Sequence, residues 1–144
     1  MQGFPSDVLS QTAAILAEKI SPQDRDVYRK LKDDHYHMLV LSCGTANLSE
    51  PTLAQAGLSA CFSEIRANRF RINRGRIDGM DLIVPEPEDK LAYLLSIGLK
   101  PEDTIAVGDG YTDIPVLDWA GTPVMLDRTG AKKKQFDNKK FCIE

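Results

Sequence analysis

Apolar positions along the chain switch between helical and strand spacing, and the switches outline its elements. Residues 7–19, "DVLSQTAAILAEK", bring Val8, Leu9, Ala13, Leu16 and Ala17 near one helical face. Ser21-Pro22 then caps and opens a second helix over 22–34, with Val27, Tyr28 and Leu31 facing inward. "HMLVLS", 37–42, is a short apolar run that suits a strand buried on both faces. "SEPTLAQAGL" predicts a capped helix ending at Gly57. "ACFSEI" follows, and "RFRINRGRIDGMDLIV" carries Asn73-Arg74-Gly75 and Asp78-Gly79, so it reads as a hairpin. "EPEDKLAYLLSIGL" is an amphipathic helix closed by Gly98. "DTIAVG" is a buried strand, "IPVLDWA" a helix and "TPVMLD" a strand. "GAKKKQFDNKKFCIE" predicts a basic surface helix or loop, then a short last strand. Strands alternating with helices indicate an α/β domain with a mostly parallel sheet and right-handed crossovers.

Composition narrows the class. A chain of 144 residues suits one domain, 1–144, with a core of its own. The net charge of -3 leaves no basic excess, so no nucleic-acid partner is expected. No apolar run approaches the roughly 20 residues that span a bilayer, so no membrane partner is expected either. "MQGFPSDVLS" lacks the basic and apolar regions of a secretory signal. Cys43, Cys61 and Cys142 are odd in number and show no zinc spacing. A reduced, cytoplasmic protein is the expectation.

The chemistry gathers at "IAVGDGYTDI", 105–114, where two carboxylates stand four positions apart beyond a buried strand. Parallel α/β sheets bind ligands beyond the carboxyl ends of their strands, and Asp109 lies there. Gly108 and Gly110 permit a tight turn. Magnesium takes one or two carboxylates plus water and substrate oxygens, so Asp109 and Asp113 form a candidate Mg²⁺ site. The plainer alternative makes Asp113 a helix N-cap and Asp109 a turn residue.

Two other positions bear on the choice. Ser42 ends a strand and leads into Cys43-Gly44-Thr45. A hydroxyl with free backbone N–H groups at a strand end can hold phosphate oxygens. Lys90 opens a helix, where the macrodipole favours acids rather than cations. A lysine there makes sense as a cation aimed at phosphate. The plainer alternative is a solvated lysine.

The order of these features resembles the haloacid dehalogenase (HAD) superfamily, in its phosphoserine phosphatase-like branch. "LVLSCG" looks like motif II with Ser42 as its hydroxyl. Lys90 looks like the motif III lysine. "VGDGYTDIPVL" looks like motif IV with Asp109 and Asp113 as its acidic pair. "ANRF", 67–70, and "RGRIDG" resemble the segment between motifs II and III. The resemblance covers about residues 20–127 and implies a Rossmann-like core. It implies a Mg²⁺-dependent phosphohydrolase in which a carboxylate attacks phosphorus and water hydrolyses the aspartyl-phosphate. Ser42, Cys43, Gly44 and Lys90 would bind phosphate. Asp109 would ligate Mg²⁺ directly, and Asp113 would ligate it or orient its water shell. A small phosphorylated metabolite, phosphoserine-like, is the family-level expectation for substrate.

The family's nucleophile belongs to an apolar strand ending Asp-x-Asp ahead of motif II, and this chain has none. Residues 1–20 look like the remnant of a cap or linker helix instead. The expected core therefore lacks its N-terminal strand and most of its cap, leaving a hole between the motif II and motif IV strands or forcing them together. "PVMLDRTG", 123–130, offers Asp127 as a substitute nucleophile but follows motif IV. Cys61 to Arg66 has one residue too few for a cysteine phosphatase loop and lacks its glycines. "GDGYTD" is not a dinucleotide fingerprint, because Asp113 occupies the third glycine position. His35 and His37 read as surface or strand-entry residues, and "KKKQFDNKK" as a solvated face.

Three functions stay open at this stage. The chain is the C-terminal portion of a HAD phosphatase, completed by a separate segment. Or it is a non-catalytic binding or assembly module on a degenerate core, dimerising by strand exchange through an unpaired edge. Or it is an enzyme with Asp127 as a relocated nucleophile.

Overall fold

The computed structural model describes residues 3–127, 129–136, 139 and 141–143. The elements follow one another as α1 (Asp7–Glu18), α2 (Pro22–Asp33), β1 (Leu39–Thr45), α3 (Ala46–Gln55), β2 (Glu64–Asn73) and β3 (Arg76–Asp81). They continue with α4 (Pro87–Ser96), β4 (Ile105–Gly108), α5 (Ile114–Trp119), β5 (Thr122–Met125), α6 (Lys132–Gln135) and β6 (Cys142–Ile143). The chain divides into two compact units, Met1–Val84 and Pro85–Glu144. Among the described residues β1–β2, β4–β5 and β5–β6 pair in parallel, and the β2–β3 hairpin is antiparallel. No helix among the described residues is long and apolar enough to cross a membrane.

In the first unit the sheet order is β1-β2-β3. Leu9, Ala13 and Ala17 form the buried stripe of α1, and the two alanines let that helix lie close against α3. The core joins Ala17, Leu53, Ala56, Leu58 and Cys61. Tyr28 and Phe62 close its side with ring centroids 5.4 Å apart. Ser21 caps α2 in a reciprocal box with Asp24. Val27, expected inward on that helix, is 56% exposed; Tyr28 and Leu31 alone supply its apolar contact, and both are only half-buried. Helix α3 starts earlier than the Ser-Glu-Pro run suggests. Thr45 caps it by accepting from the Asn47 amide at 3.3 Å, while Asn47 Oδ1 accepts from the Phe70 amide at 2.7 Å. The helix start is thus tied to β2 rather than to Pro51.

The hairpin turns through Arg74 and Gly75, at φ 48° and 72°. Two consecutive left-handed residues match the right-handed twist of the flanking strands. Arg69 of β2 meets Glu50 of α3 through both guanidinium nitrogens, at 3.2 and 2.5 Å. The hydrogen bond and the charge of Glu50 raise the Arg69 pKa above its ordinary value.

The second unit has the sheet order β4-β5-β6, parallel throughout. Ala106, Leu117, Ala120, Met125 and Phe136 are its buried cluster, so α5 covers one face of the sheet. Ile105 and Val107 point to the opposite face, 51% and 60% exposed. Parallel sheets are ordinarily covered on both faces. The mostly parallel α/β character expected from the sequence is present, and among the described residues the strands fall in two three-stranded sheets with β1 and β4 each paired on one side.

Candidate functional site

Strand β4 ends at Gly108, and the chain turns through Asp109-Gly110 into a 3-10 turn, Tyr111–Asp113, before α5. The turn is organised by the Asp113 carboxylate. Its Oδ2 accepts from the Asp109 amide at 2.9 Å and the Gly110 amide at 3.2 Å. The spacing of four residues exists because the side chain reaches back across the turn. Asp113 occupies the N-cap position of α5 but makes no side-chain cap bond to it; the carboxylate caps the turn behind it instead. Gly108 makes this approach possible. A Cβ there would sit 2.4 Å from the Asp113 Cβ, inside any real contact distance.

The other Asp113 oxygen accepts from Lys90 Nζ at 2.7 Å. The Lys90 side chain is 4% exposed and that of Asp113 19%. A buried ammonium needs a partner charge, and Asp113 supplies it; the Thr112 hydroxyl accepts a longer bond at 3.4 Å. Helix α4 brings Lys90 inward from its first turn, which Asp89 stabilises by accepting from the Glu86 amide at 2.9 Å. Lys90 is thus neither solvated decoration nor a free cation.

Asp109 stands differently. It is exposed, and no group among the described residues donates to its carboxylate. Its backbone carbonyl, by contrast, is held. Lys132 Nζ donates to it and to the Leu126 carbonyl, the latter at 3.0 Å. Gln135 donates to the Tyr111 hydroxyl, and Phe136 lies edge-on to the Tyr111 ring at 5.5 Å. Lys132 and Gln135, in the run expected to be a solvated face, therefore latch the acidic turn from α6; residues 137, 138 and 140 of that run lie outside the described residues. Charge spacing carried no sign of this, because lysine runs look alike whether solvated or engaged.

These residues fit a magnesium ion in a limited way. Asp109 offers a free hard-oxygen donor at a strand end. Asp113 accepts two amides on Oδ2 and Lys90 on Oδ1, so it shapes the Asp109 turn whether or not it also faces an ion. No cluster of three or more His, Cys, Asp or Glu side chains suited to a metal occurs among the described residues.

In the first unit, Ser42, Cys43 and Gly44 make one turn at the end of β1. Ser42 Oγ accepts from the Gly44 amide at 3.0 Å, which leaves the hydroxyl proton available to a ligand oxygen. Gly44 is exposed. The acidic pair and Lys90 are brought together in the second unit, and the Ser42–Gly44 turn forms in the first.

Asp127 has structural work. Its carboxylate accepts from the Thr129 amide and hydroxyl, each at 3.3 Å, and from the Lys133 amide at 2.9 Å. Desolvation works to raise its pKa, and the hydrogen bonds from the Lys133, Thr129 and Lys132 backbone and the Thr129 hydroxyl together lower it below the ordinary value. Its neighbours stabilise the charged form and supply no general base.

Comparison with known proteins bears on the whole chain. A family model described as haloacid dehalogenase-like hydrolase matches residues 1–118, which include Ser42, Lys90, Asp109 and Asp113. A phosphoserine phosphatase of Archaeoglobus fulgidus is 26% identical, over 88% of this chain and 37% of its own length. Among solved structures, a HAD family hydrolase from Salmonella enterica serovar Typhi superposes with a TM-score of 0.72 at 19% identity. That match covers 93% of this chain and 46% of the Salmonella protein. A substrate-bound phosphoserine phosphatase gives a TM-score of 0.65 at 26% identity, over 84% of this chain and 57% of its own. The chain spans about half or less of the length of most of these relatives.

Proposed function

The chain belongs to the haloacid dehalogenase-like hydrolase family, and from that premise we propose that it carries the lysine and acidic-turn portion of a Mg²⁺-dependent phosphatase for a small phosphorylated metabolite of the phosphoserine type. The observation that carries the reading is the Lys90–Asp113 pair at 2.7 Å, which anchors a turn whose Asp109 carboxylate is left free. Similarity to phosphoserine phosphatases supports the substrate class.

The roles follow from the chemistry of each group. Asp109 would hold Mg²⁺, assisted by water and phosphate oxygens. The bound ion would neutralise charge on the phosphoryl oxygens. Asp113 keeps the turn in shape and holds Lys90 in place. Lys90, fixed at low exposure, offers its one remaining N–H direction to an anion. Ser42 donates its hydroxyl proton to a phosphate oxygen, with the exposed Gly44 backbone beside it. The nucleophilic carboxylate is supplied by a separate segment or a second chain. The edge of β4 left unpaired among the described residues supports such a strand docking there. A cytoplasmic setting is part of the same reading.

The test uses the chain as it is. Mg²⁺ titration, followed by the amide resonances of Gly110 and Tyr111, should shift them in the wild type and not in Asp109→Asn. Aryl phosphate hydrolysis should stay at the level of that variant until an apolar segment ending Asp-x-Asp is added. An unchanged Mg²⁺ response in Asp109→Asn would sink the metal assignment. Hydrolysis by the chain alone that disappears in Asp109→Asn would put the nucleophile inside it and overturn the supply by a second segment.

A further inference from the structure

The ladder between β1 and β2 skips two residues. Leu39 to Ser42 pair in register with Glu64 to Ala67, and then Thr45 pairs with Asn68. Cys43 and Gly44 are pushed out of the sheet, and their peptide groups need other partners. Bulges of this kind recur beside functional sites because they re-aim the chain. Ser42 Oγ takes the Gly44 amide. The Cys43 carbonyl goes to a side chain: Asn68 Nδ2 donates to it at 2.9 Å.

Asn68 is 3% exposed, one of few buried polar residues. Its Nδ2 also donates to the Val84 carbonyl at 3.1 Å, and its Oδ1 accepts from the Ile83 and Val84 amides, each at 2.8 Å. All of its hydrogen-bonding capacity is used. Two carbonyls on one side and two amides on the other fix which end of the amide is which. Aspartate lacks the two donors, leucine lacks everything, and glutamine is a methylene too long for a closed packing site. The position therefore specifies asparagine chemically, while β-strand propensity alone disfavours it.

We propose that Asn68 is a positioning residue that sets the Ser42–Gly44 turn by locking the bulged Cys43 carbonyl to the Ile83–Val84 segment. The purpose of that setting, presenting the Ser42 hydroxyl to phosphate, rests on the function proposed above; the lock itself does not. Ile83 and Val84 follow the hairpin in sequence, so one side chain ties the serine turn to the segment that leaves β3.

Amide hydrogen exchange on the full chain tests it. Asn68→Asp keeps an acceptor for the Ile83 and Val84 amides and strips the donors. The Gly44 amide should then exchange about tenfold faster or more, the scale of one buried hydrogen bond, while the Ile83 and Val84 amides stay protected. Asn68→Ala should release all three. In both variants the amides of Leu53 in α3 and Met125 in β5 should be unchanged, which a general loss of stability would not allow. In the wild type the Asn68 side-chain amide protons should exchange slowly, a signature independent of any variant. Unchanged Gly44 exchange in both variants, or acceleration of Leu53 in step with it, overturns the proposal. Inorganic phosphate, titrated separately, distinguishes the two readings. Weaker phosphate binding in Asn68→Ala with an unaltered Mg²⁺ response supports the positioning role. Equal phosphate binding by the wild type and Ser42→Ala removes the phosphate role of Ser42, and the exchange data still decide the lock.

Discussion

Replacing Asp113 by asparagine isolates the energetics of the site. The variant keeps the shape of the side chain and an oxygen that can still accept from the Asp109 and Gly110 amides. Its new NH₂ group, however, faces Lys90 Nζ, which stands 2.7 Å from the native oxygen. A donor then meets a donor, and an ammonium at 4% exposure loses its counter-charge. Breaking a buried pair from one side costs about 3–5 kcal/mol. For a chain of this size that is roughly 2–4 °C in Tm for each kcal/mol. Lys90→Met removes the other charge and leaves a carboxylate that is 19% exposed and still accepts two amides. It should cost less, about 1–3 kcal/mol. The double variant should recover much of the loss, because neither charge is stranded. Urea unfolding of the four proteins measures the coupling, expected at about 2 kcal/mol or more. Additive losses with coupling below about 0.5 kcal/mol would refute the claim that Lys90 depends on Asp113.

Gly108→Ala should cost about 1–3 kcal/mol and abolish the Mg²⁺ response, since its Cβ would lie 2.4 Å from the Asp113 Cβ; denaturation and titration check both. Lys132→Met should accelerate exchange of the Asp109 and Gly110 amides several-fold, with Lys132→Arg closer to wild type, because the cation grips the Asp109 and Leu126 carbonyls; equal exchange in all three proteins would discard the latch. The Asp127 carboxyl should titrate below its ordinary 3.8 by carbon NMR. Its folded-state pKa is depressed, so the stability it contributes is present above the unfolded pKa and is lost as pH falls through the folded one. Asp127→Asn should remove that part of the acid dependence, and an unaltered acid limb would count against it.

Much of the frame was legible because local chemistry agreed with the fold. Ser21-Pro22 announced α2, Gly98 closed α4 at φ 77°, and Arg74-Gly75 made the hairpin turn. What sequence could not reveal was the partner of each polar group. Lys90 invited reading as a phosphate cation because it sits in the first turn of a helix; its engagement with Asp113 is a tertiary fact. Thr45 rather than Ser49 starts α3, since the decisive bond joins Asn47 to Phe70, distant in sequence. Asn68 stood inside a quoted motif, yet its four bonds reach segments on either side that no local pattern connects. Val27 fits the helical stripe of α2, yet it is exposed.

The two acids four residues apart look equivalent in sequence, and the structure gives them opposite duties. Asp113 has spent both oxygens, so turning it toward a metal would strand Lys90 and two backbone amides at once. Asp109 has spent none, so its charge contributes nothing to folding that its amide analogue would lack. Asp109→Asn should therefore leave stability within about 0.5 kcal/mol of the wild type, or raise it slightly by relieving repulsion toward Asp113. The same variant should lose the Mg²⁺ response. Asp113→Asn should show the reverse order, with unfolding first and ligand loss as its consequence. Side-by-side urea unfolding and Mg²⁺ titration of the two variants decide the matter. A destabilisation of Asp109→Asn comparable to that of Asp113→Asn would mean that the exposed carboxylate has a structural partner, and the division of labour inferred from its free oxygens would fall.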